Sequence, residues 1–301
     1  MILTVENPDV PRRAVSDALA RTLAFFSEDT PLKRAEPFGR RPYERREQQE
    51  RMAAAVAEAL EKRRNLCVEA PTGVGKSFAY LVPAIYHALA TRQPVLVATE
   101  TINLQEQLAE KDLPLLRDLT RLPFTFVVAK GRTNYLCKRR LALAMGRRRD
   151  EILPPGASAT DLDRICDWAL TTKDGSKSDI SFRFDQSLWA CLCCETASCM
   201  GPKCEFFHSC FYWRQRHAWD KADLIVANHA LFFTDLKMRS AEDAANCPLP
   251  DYGSVIFDEA HTLEDNAANH LGIHVHSAAL RFFLNRLFNP INGRGILMRS
   301  G

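Results

Sequence analysis

The sequence predicts an α/β fold, a parallel sheet with helices on both faces, interrupted by a cysteine-bearing insertion. Three observations lead there. Short apolar runs alternate with stretches of helical spacing from residue 46 to 129 and again from 211 to 259, the order expected of strand–helix–strand units. A glycine-bearing turn, APTGVGKS (70–77), stands between the first apolar run and a helix. Between 150 and 200 the alternation stops, and Pro154, Pro155, Gly156, the polar run TTKDGSKSD and a group of cysteines take its place.

The elements follow in order. Residues 11–27 have helical spacing, with Val15, Leu19, Leu23 and Phe26 on one side. A second helix runs from Arg46 to Arg64, alanine-rich at 53–59. NLCVEA (65–70) is short and apolar, a buried strand, and the helix after the glycines runs from about Lys76 to Ala90. QPVLVAT (93–99) is a strand, INLQEQLAE (102–110) a helix and PFTFVVA (123–129) a strand. Beyond the insertion come a helix at 211–220, the strand DLIVAN (223–228), a short helix and the strand GSVIFDE (253–259).

With 301 residues and 46% hydrophobic content, the chain has apolar material for one large domain or two smaller ones. Lys plus Arg is 40 against 37 for Asp plus Glu, so the net charge of +3 does not by itself argue for nucleic acid. The distribution says more. GRRPYERREQQER (39–51) and AKGRTNYLCKRRLALAMGRRR (129–149) are strongly basic, as a surface following a phosphate backbone would be, or a solvated helix face. MILTVENPDVPRR at the N-terminus lacks the pattern of a signal peptide, and no apolar run reaches the length of a membrane span. Ten cysteines in an intracellular, reducing setting point away from disulfides and towards metal. No internal repeat is present.

EAPTGVGKS (69–77) meets the pattern G-x-x-x-x-G-K-[ST] except that Ala70 replaces the first glycine. Gly73 and Gly75 let the backbone turn so that successive N–H groups from Thr72 through Val74 to Ser77 face phosphate oxygens. The start of the following helix adds its positive end. Lys76 reaches the β- and γ-phosphates and Ser77 can ligate Mg²⁺. VIFDEAHTLED (255–265) ends a buried strand with Asp258 and Glu259. At the carboxyl edge of a parallel sheet, Asp258 would hold Mg²⁺ and Glu259 would orient and deprotonate the attacking water.

CLCCETASCMGPKCEFFHSC (191–210) holds six of the ten cysteines. Four thiolates suit structural zinc or an iron–sulfur cluster, and counting within the loop offers Cys194, Cys199, Cys204 and Cys210, with His208 as a further zinc donor. Cys67 reads as core of its strand, and Cys166 and Cys247 as packing. HVH at 274–276 reads as the edge of a strand or helix. Trp189, Phe206, Phe207, Phe211, Tyr212, Trp213 and Trp219 either pack around the cysteines or stack on bases.

Together these segments resemble the iron–sulfur helicases of superfamily 2, the XPD/DinG group. YERREQQERM (43–52) resembles the Q-motif, with Gln49 at the adenine; EAPTGVGKS resembles motif I, where Ala70 is usual. VLVATETINLQEQL (95–108) resembles motif Ia, which contacts single-stranded DNA. KGRTNYLC (130–137) resembles the segment with the first cluster cysteine, and CFYWRQRHAWDKADLIVANHALFF (210–233), with Asn228 and His229, the return to the core. DEAH (258–261) resembles motif II. The resemblance implies cluster ligands Cys137, Cys199, Cys204 and Cys210, leaving Cys191, Cys193 and Cys194 surplus.

It implies a RecA-like motor domain in two parts, 41–131 and 211–271, a helical iron–sulfur insertion at 132–210, an N-terminal helical extension at 1–40 and the start of an arch-like insertion at 272–301. Implied with these are ATP, Mg²⁺ and a [4Fe–4S] cluster as cofactors, single-stranded or forked DNA as partner, 5′ to 3′ movement, a role in DNA repair and a cytoplasmic, nucleoid-associated location. The family also carries a second RecA-like domain that this chain lacks. Two other functions fit the residues: a zinc- or cluster-bearing nucleic-acid-binding module with a vestigial nucleotide site, and a redox protein in which the cysteines do the work.

Overall fold

A computed structural model describes residues 2–4, 12–34, 44–146, 158–240 and 247–272, with a few single positions besides. HVH at 274–276 and most of 272–301 lie outside the described residues. In chain order the strands are β1 (Ile2–Thr4), β2 (Val95–Thr99), β3 (Phe126–Val128), β4 (Leu224–Asn228) and β5 (Ser254–Phe257). The helices are α1 (Arg12–Phe25), α2 (Glu47–Glu61), α3 (Lys76–Thr91), α4 (Ile102–Gln107), α5 (Leu113–Thr120), α6 (Lys138–Met145), α7 (Ala159–Thr171), α8 (Gln186–Leu192), α9 (Phe211–Trp219), α10 (His229–Ser240) and α11 (Leu263–Leu271).

The five strands form one sheet in the order β1-β5-β2-β4-β3. β2 to β5 run parallel, with Val95 opposite both Leu224 and Ser254 and Phe126 opposite Leu224, while β1 pairs antiparallel with β5. Alternate residues of each parallel strand face opposite sides, and both sides are apolar. Val95, Val97, Leu224, Val226 and Ile256 pack with α1, α2, α3 and α5. Leu96, Ala98, Ile225, Ala227, Val255 and Phe257 pack with α9, α10 and residues of the insertion, among them Tyr135, Leu136 and Trp189. Residues of the insertion therefore complete, with α9 and α10, the layer on this face of the sheet.

Inside the insertion, 135–137 threads between two other stretches. Tyr135 bridges Ser176 and Leu136 bridges Cys193. Leu136 N–H donates to the Gly175 carbonyl at 3.0 Å, Cys137 N–H to Leu192 at 2.9 Å, and Cys194 N–H to Tyr135 at 2.7 Å. The polar composition of this region hid α7 and α8, whose N-caps are Ser158 and Asp185.

Three expectations need correction. NLCVEA (65–70) forms no strand beyond a single bridge residue, Leu66: Cys67 and Glu69 are exposed and Val68 is 37% exposed. A strand needs a hydrogen-bonded neighbour. The free edge of β5 is taken by β1, and a cavity of about 490 Å³ separates 66–70 from the end of β5. Cys67 is accordingly not core. The buried side of α1 is Ala18, Thr22 and Phe25, followed by Phe26, and Leu23 is 50% exposed; small residues let the helix approach α3 closely. The helix from 102 runs on to Thr120 through a π-turn at Leu108–Asp112. Pro114 has no N–H for the carbonyl four residues back, so the ladder is already interrupted where the π-turn sits.

Gly175 has φ +68°, and a Cβ there would lie 2.3 Å from the Phe211 ring. Gly175→Ala should destabilise the protein by about 1–3 kcal/mol, read as a lower midpoint in urea, with early proteolytic cleavage in 150–200.

Candidate nucleotide site and cysteine group

The phosphate loop is shaped by Arg46, which precedes α2, and Gln49 in its first turn. Gly73 and Gly75 have φ +84° and +85°, and Gly75 caps α3 in the left-handed region. The Arg46 guanidinium donates to the Gly73 carbonyl. Gln49 Nε2 donates to the Gly75 carbonyl at 2.9 Å, and a Cβ on Gly75 would lie 2.3 Å from the same nitrogen. Gln49 is 3% exposed, so its amide braces the loop. Lys76 and Ser77 form the first turn of α3, where unpaired N–H groups and the helix dipole favour an anion.

The acidic motif stands at the carboxyl end of β5. Asp258 N–H donates to the Ala98 carbonyl at 2.8 Å, continuing the β2–β5 ladder by one residue. The Tyr80 hydroxyl, from α3, donates to Asp258 Oδ2 at 3.0 Å, and Glu259 N–H donates to Oδ1 at 3.1 Å. Glu259 has φ 52° and ψ 45°, a left-handed conformation costing on the order of 1–3 kcal/mol for such a residue. That turn brings Glu259 Oε1 to 3.5 Å from Lys76 Nζ and Oε2 to 3.4 Å from His261 Nδ1. Lys76, Asp258, Glu259 and His261 line the polar end of the cavity; Met52, Val56 and Leu66 line its apolar part. The Ser77 hydroxyl and Asp258 carboxylate are hard oxygen donors, which fit Mg²⁺.

His229 holds the turn from below. It is fully buried, with Nε2 3.2 Å from the Ala98 carbonyl and 3.0 Å from the Asp258 carbonyl. Two acceptors facing Nε2 assign the proton to that nitrogen. Nδ1 then accepts from the Thr262 hydroxyl, 3.2 Å away, whose oxygen is also 3.1 Å from the Glu259 carbonyl. Tyr80 and His229 were not singled out by sequence as positioning groups. The signal for Tyr80 was one phenol within an otherwise apolar helix turn.

The cysteines occupy both ends of the insertion. Cys137, Cys199, Cys204 and Cys210 are half-buried, and Cys193 and Cys194 are buried. Cys194 lies within electrostatic reach of Cys137, Cys199 and Cys210, and burial above all pushes its thiol up to about 12. Burial also raises Cys199, but the Gly201 backbone N–H, the Trp213 indole and Arg132 outweigh it and leave the thiol below its usual value. The Trp213 indole N–H has no hydrogen-bond partner of normal geometry, so a sulfur acceptor suits it. These features fit a group bound through thiolates. Among the described residues, no three His, Cys, Asp or Glu side chains converge closely enough to hold a metal ion. His208 is exposed. Trp189, Phe211, Tyr212 and Trp219 are buried, which favours packing over base stacking for these four.

The basic run after residue 129 is largely engaged internally. Lys130, 9% exposed, contacts Glu106 at 3.2 Å and the hydroxyls of Ser176 and Ser178 at 3.1 and 2.6 Å. Arg132 lies over the Tyr212 ring at 4.2 Å. Arg139 donates to the Ser198 carbonyl at 2.6 Å, and Arg140 to Cys193 and Glu195. These side chains tie the insertion together.

Burial holds His229 below the ordinary imidazole value, although the Ala98 and Asp258 carbonyls pull the other way. Burial likewise lowers His87 to about 4 from 6.5. Both are neutral when folded and gain protons on unfolding, so stability present above pH 6.5 is lost as pH falls towards 4. The thermal midpoint should drop between pH 7 and 5, and less so in His87→Gln. At pH 7.5, His229→Leu should cost about 1–3 kcal/mol by leaving carbonyls unpaired, and His229→Gln, which keeps a donor, should recover part.

Residues 47–139 match the DEAD/DEAH box helicase family, and residues 190–280 match the family described as DEAD_2. The chain is 38% identical over 259 residues to the ATP-dependent helicase DinG of Mycobacterium tuberculosis (strain H37Ra), covering 81% of this chain and 38% of that protein. It is 36% identical over 251 residues to the ATP-dependent DNA helicase YoaA of Escherichia coli (strain K12), 82% of this chain and 37% of that protein. A protein named 3'-5' exonuclease DinG, from Bacillus subtilis (strain 168), is 31% identical over 258 residues, 85% of this chain and 26% of its own length. The chain thus spans under two-fifths of the length of these relatives. With both helicase regions matched and the phosphate loop and DEAH turn facing one cavity, the chain belongs to the DEAD/DEAH-box helicases of the DinG-like, DEAD_2 group.

Proposed function

We propose that this chain is the ATP-binding and hydrolysing part of an ATP-dependent DNA helicase, acting 5′ to 3′ on single-stranded or forked DNA in cytoplasmic DNA repair. The observation that carries this reading is the meeting of Lys76, Asp258 and Glu259 at one cavity, with Lys76 Nζ 3.5 Å from Glu259 Oε1. ATP entering the site takes Lys76 as the partner of its β- and γ-phosphates, which releases Glu259 to face the attacking water. Backbone N–H groups from Thr72 to Ser77 receive the phosphate oxygens. Ser77 and Asp258 are the ligands for Mg²⁺, which when bound neutralises charge on the phosphates. Glu259 orients the water and takes its proton. The strain at Glu259 and the His229 bond to Asp258 keep that carboxylate in place before substrate arrives. A second motor domain, which the family resemblance implies, is the partner expected to complete strand separation.

For the insertion we infer a [4Fe–4S] cluster on Cys137, Cys199, Cys204 and Cys210. Cys137 precedes α6 and the other three precede α9, so shared iron would staple the two ends of a long loop. The Cys199 thiol, held low by the Gly201 N–H, the Trp213 indole and Arg132 against burial, supports a thiolate site. Buried Cys194 stands by as a neighbour, not a ligand.

In the full-length protein, Lys76→Ala should remove DNA-stimulated ATP hydrolysis, a fall of about 100-fold or more as measured by phosphate release; unchanged turnover would contradict the assignment. Protein purified without oxygen should be brown and contain about four irons per chain. One zinc per chain instead would transfer the site to the zinc-bearing alternative.

A further inference from the structure

The segment 65–70 is an apolar run without a ladder. Beyond the bridge at Leu66, Cys67 to Ala70 make no main-chain hydrogen bond to another described residue. Cys67 and Glu69 are exposed, and Val68 is 37% exposed. Leu66 to Ala70 line the same cavity as Ile256 to His261. The two stretches also share a direction. α2 begins beside the phosphate loop, where Gln49 bonds the Gly75 carbonyl, so the chain leaves the loop along α2 and returns to it along 65–70. β5 ends at the same place, where Asp258 accepts from Tyr80 of α3. Segment 65–70 thus runs parallel to β5, as β2 and β4 do.

A sheet edge presents one row of N–H and C=O groups and pairs with one strand at a time. β1 holds the edge of β5 with three residues, Ile2 opposite Ile256, Leu3 opposite Val255 and Thr4 opposite Ser254, in the antiparallel sense. So short a ladder opens at low cost. We propose that β1 is an autoinhibitory strand, holding the edge that 65–70 would otherwise take. When β1 leaves, 65–70 pairs in parallel with β5, buries Cys67 and Val68, and carries the phosphate loop towards the DEAH turn. The β1 ladder covers Ser254 to Ile256 and leaves Phe257, nearer the loop, beyond it. A nucleotide that touches both the loop and the turn binds better when the two approach. Nucleotide and β1 therefore oppose each other, by the same factor in each direction. That link rests on the nucleotide site proposed for Lys76, Asp258 and Glu259; the exchange of strands does not.

The test compares the whole wild-type chain with a variant carrying Leu3→Pro and Thr4→Pro. Neighbouring residues of a strand send their N–H groups to opposite sides, so one of the two prolines removes a donor from the β5 ladder. Trypsin releases 65–76 as NLCVEAPTGVGK, which holds Cys67 and no other cysteine, so alkylation of Cys67 by iodoacetamide is read by mass spectrometry of that peptide. Without nucleotide, the prolines should slow this alkylation about 10-fold or more. They should tighten binding of fluorescent ADP about 5-fold or more. Saturating ADP should slow the same alkylation in the wild-type chain, and no slowing there overturns the proposal without any variant. Removing residues 2–4 gives the same comparison if the prolines unfold the chain. Unchanged or faster alkylation in the nucleotide-free variant overturns the strand exchange. Slower alkylation with ADP bound no more tightly than by wild type overturns the autoinhibition. If the wild-type chain binds no ADP, the nucleotide site fails, and alkylation of the nucleotide-free variant still decides the exchange.

Discussion

The hydrogen bond from the Tyr80 hydroxyl to Asp258 Oδ2, 3.0 Å long, joins residues 178 apart in the chain. A bond to a charged acceptor contributes on the order of 1.5–3 kcal/mol, but its geometric effect is larger. It couples the helix that opens on the phosphate loop to the strand that ends on the DEAH turn. The β2–β5 ladder, continued by the Asp258 N–H to Ala98, sets the height of that turn. His229 then closes the back of the turn with carbonyls from both strands. Lys76, Ser77, Asp258 and Glu259 keep their mutual positions through these few bonds.

The same sheet explains why a cysteine-rich insertion can matter to a motor core. Its residues fill the face of the sheet opposite α1 to α3. Lys130 reaches from the end of β3 to Ser176 and Ser178 in the insertion and to Glu106 on α4. Arg132 lies over Tyr212 and Trp213, beside Cys199. Residues of the insertion thus contact both α4 and α9, which pack on the sheet.

Much of the fold was legible because buried parallel strands are apolar throughout and loops carry their glycines openly. QPVLVAT, DLIVAN and GSVIFDE became β2, β4 and β5 for that reason. NLCVEA has the same composition and failed, because composition reports what a strand could bury and not whether an edge is free to pair with it. On α1 the hydrophobic pattern pointed to Leu23, whereas close packing selected Ala18 and Thr22. Basic residues 130–140 read as surface charge, yet their partners are carbonyls and rings far off in sequence. Asp112 gave no sequence signal: one aspartate in KDLPLL carries no sign that a π-turn will bury it.

The most direct test of this account is a double-mutant cycle on Mg²⁺·ADP affinity with Tyr80→Phe, Asp258→Asn and the pair, measured by calorimetry. If the Tyr80–Asp258 bond holds the site, the two losses will not add, and the double variant will bind about as weakly as Asp258→Asn alone. Fully additive losses would mean that the phosphate loop and the DEAH turn keep their geometry independently, which would contradict it.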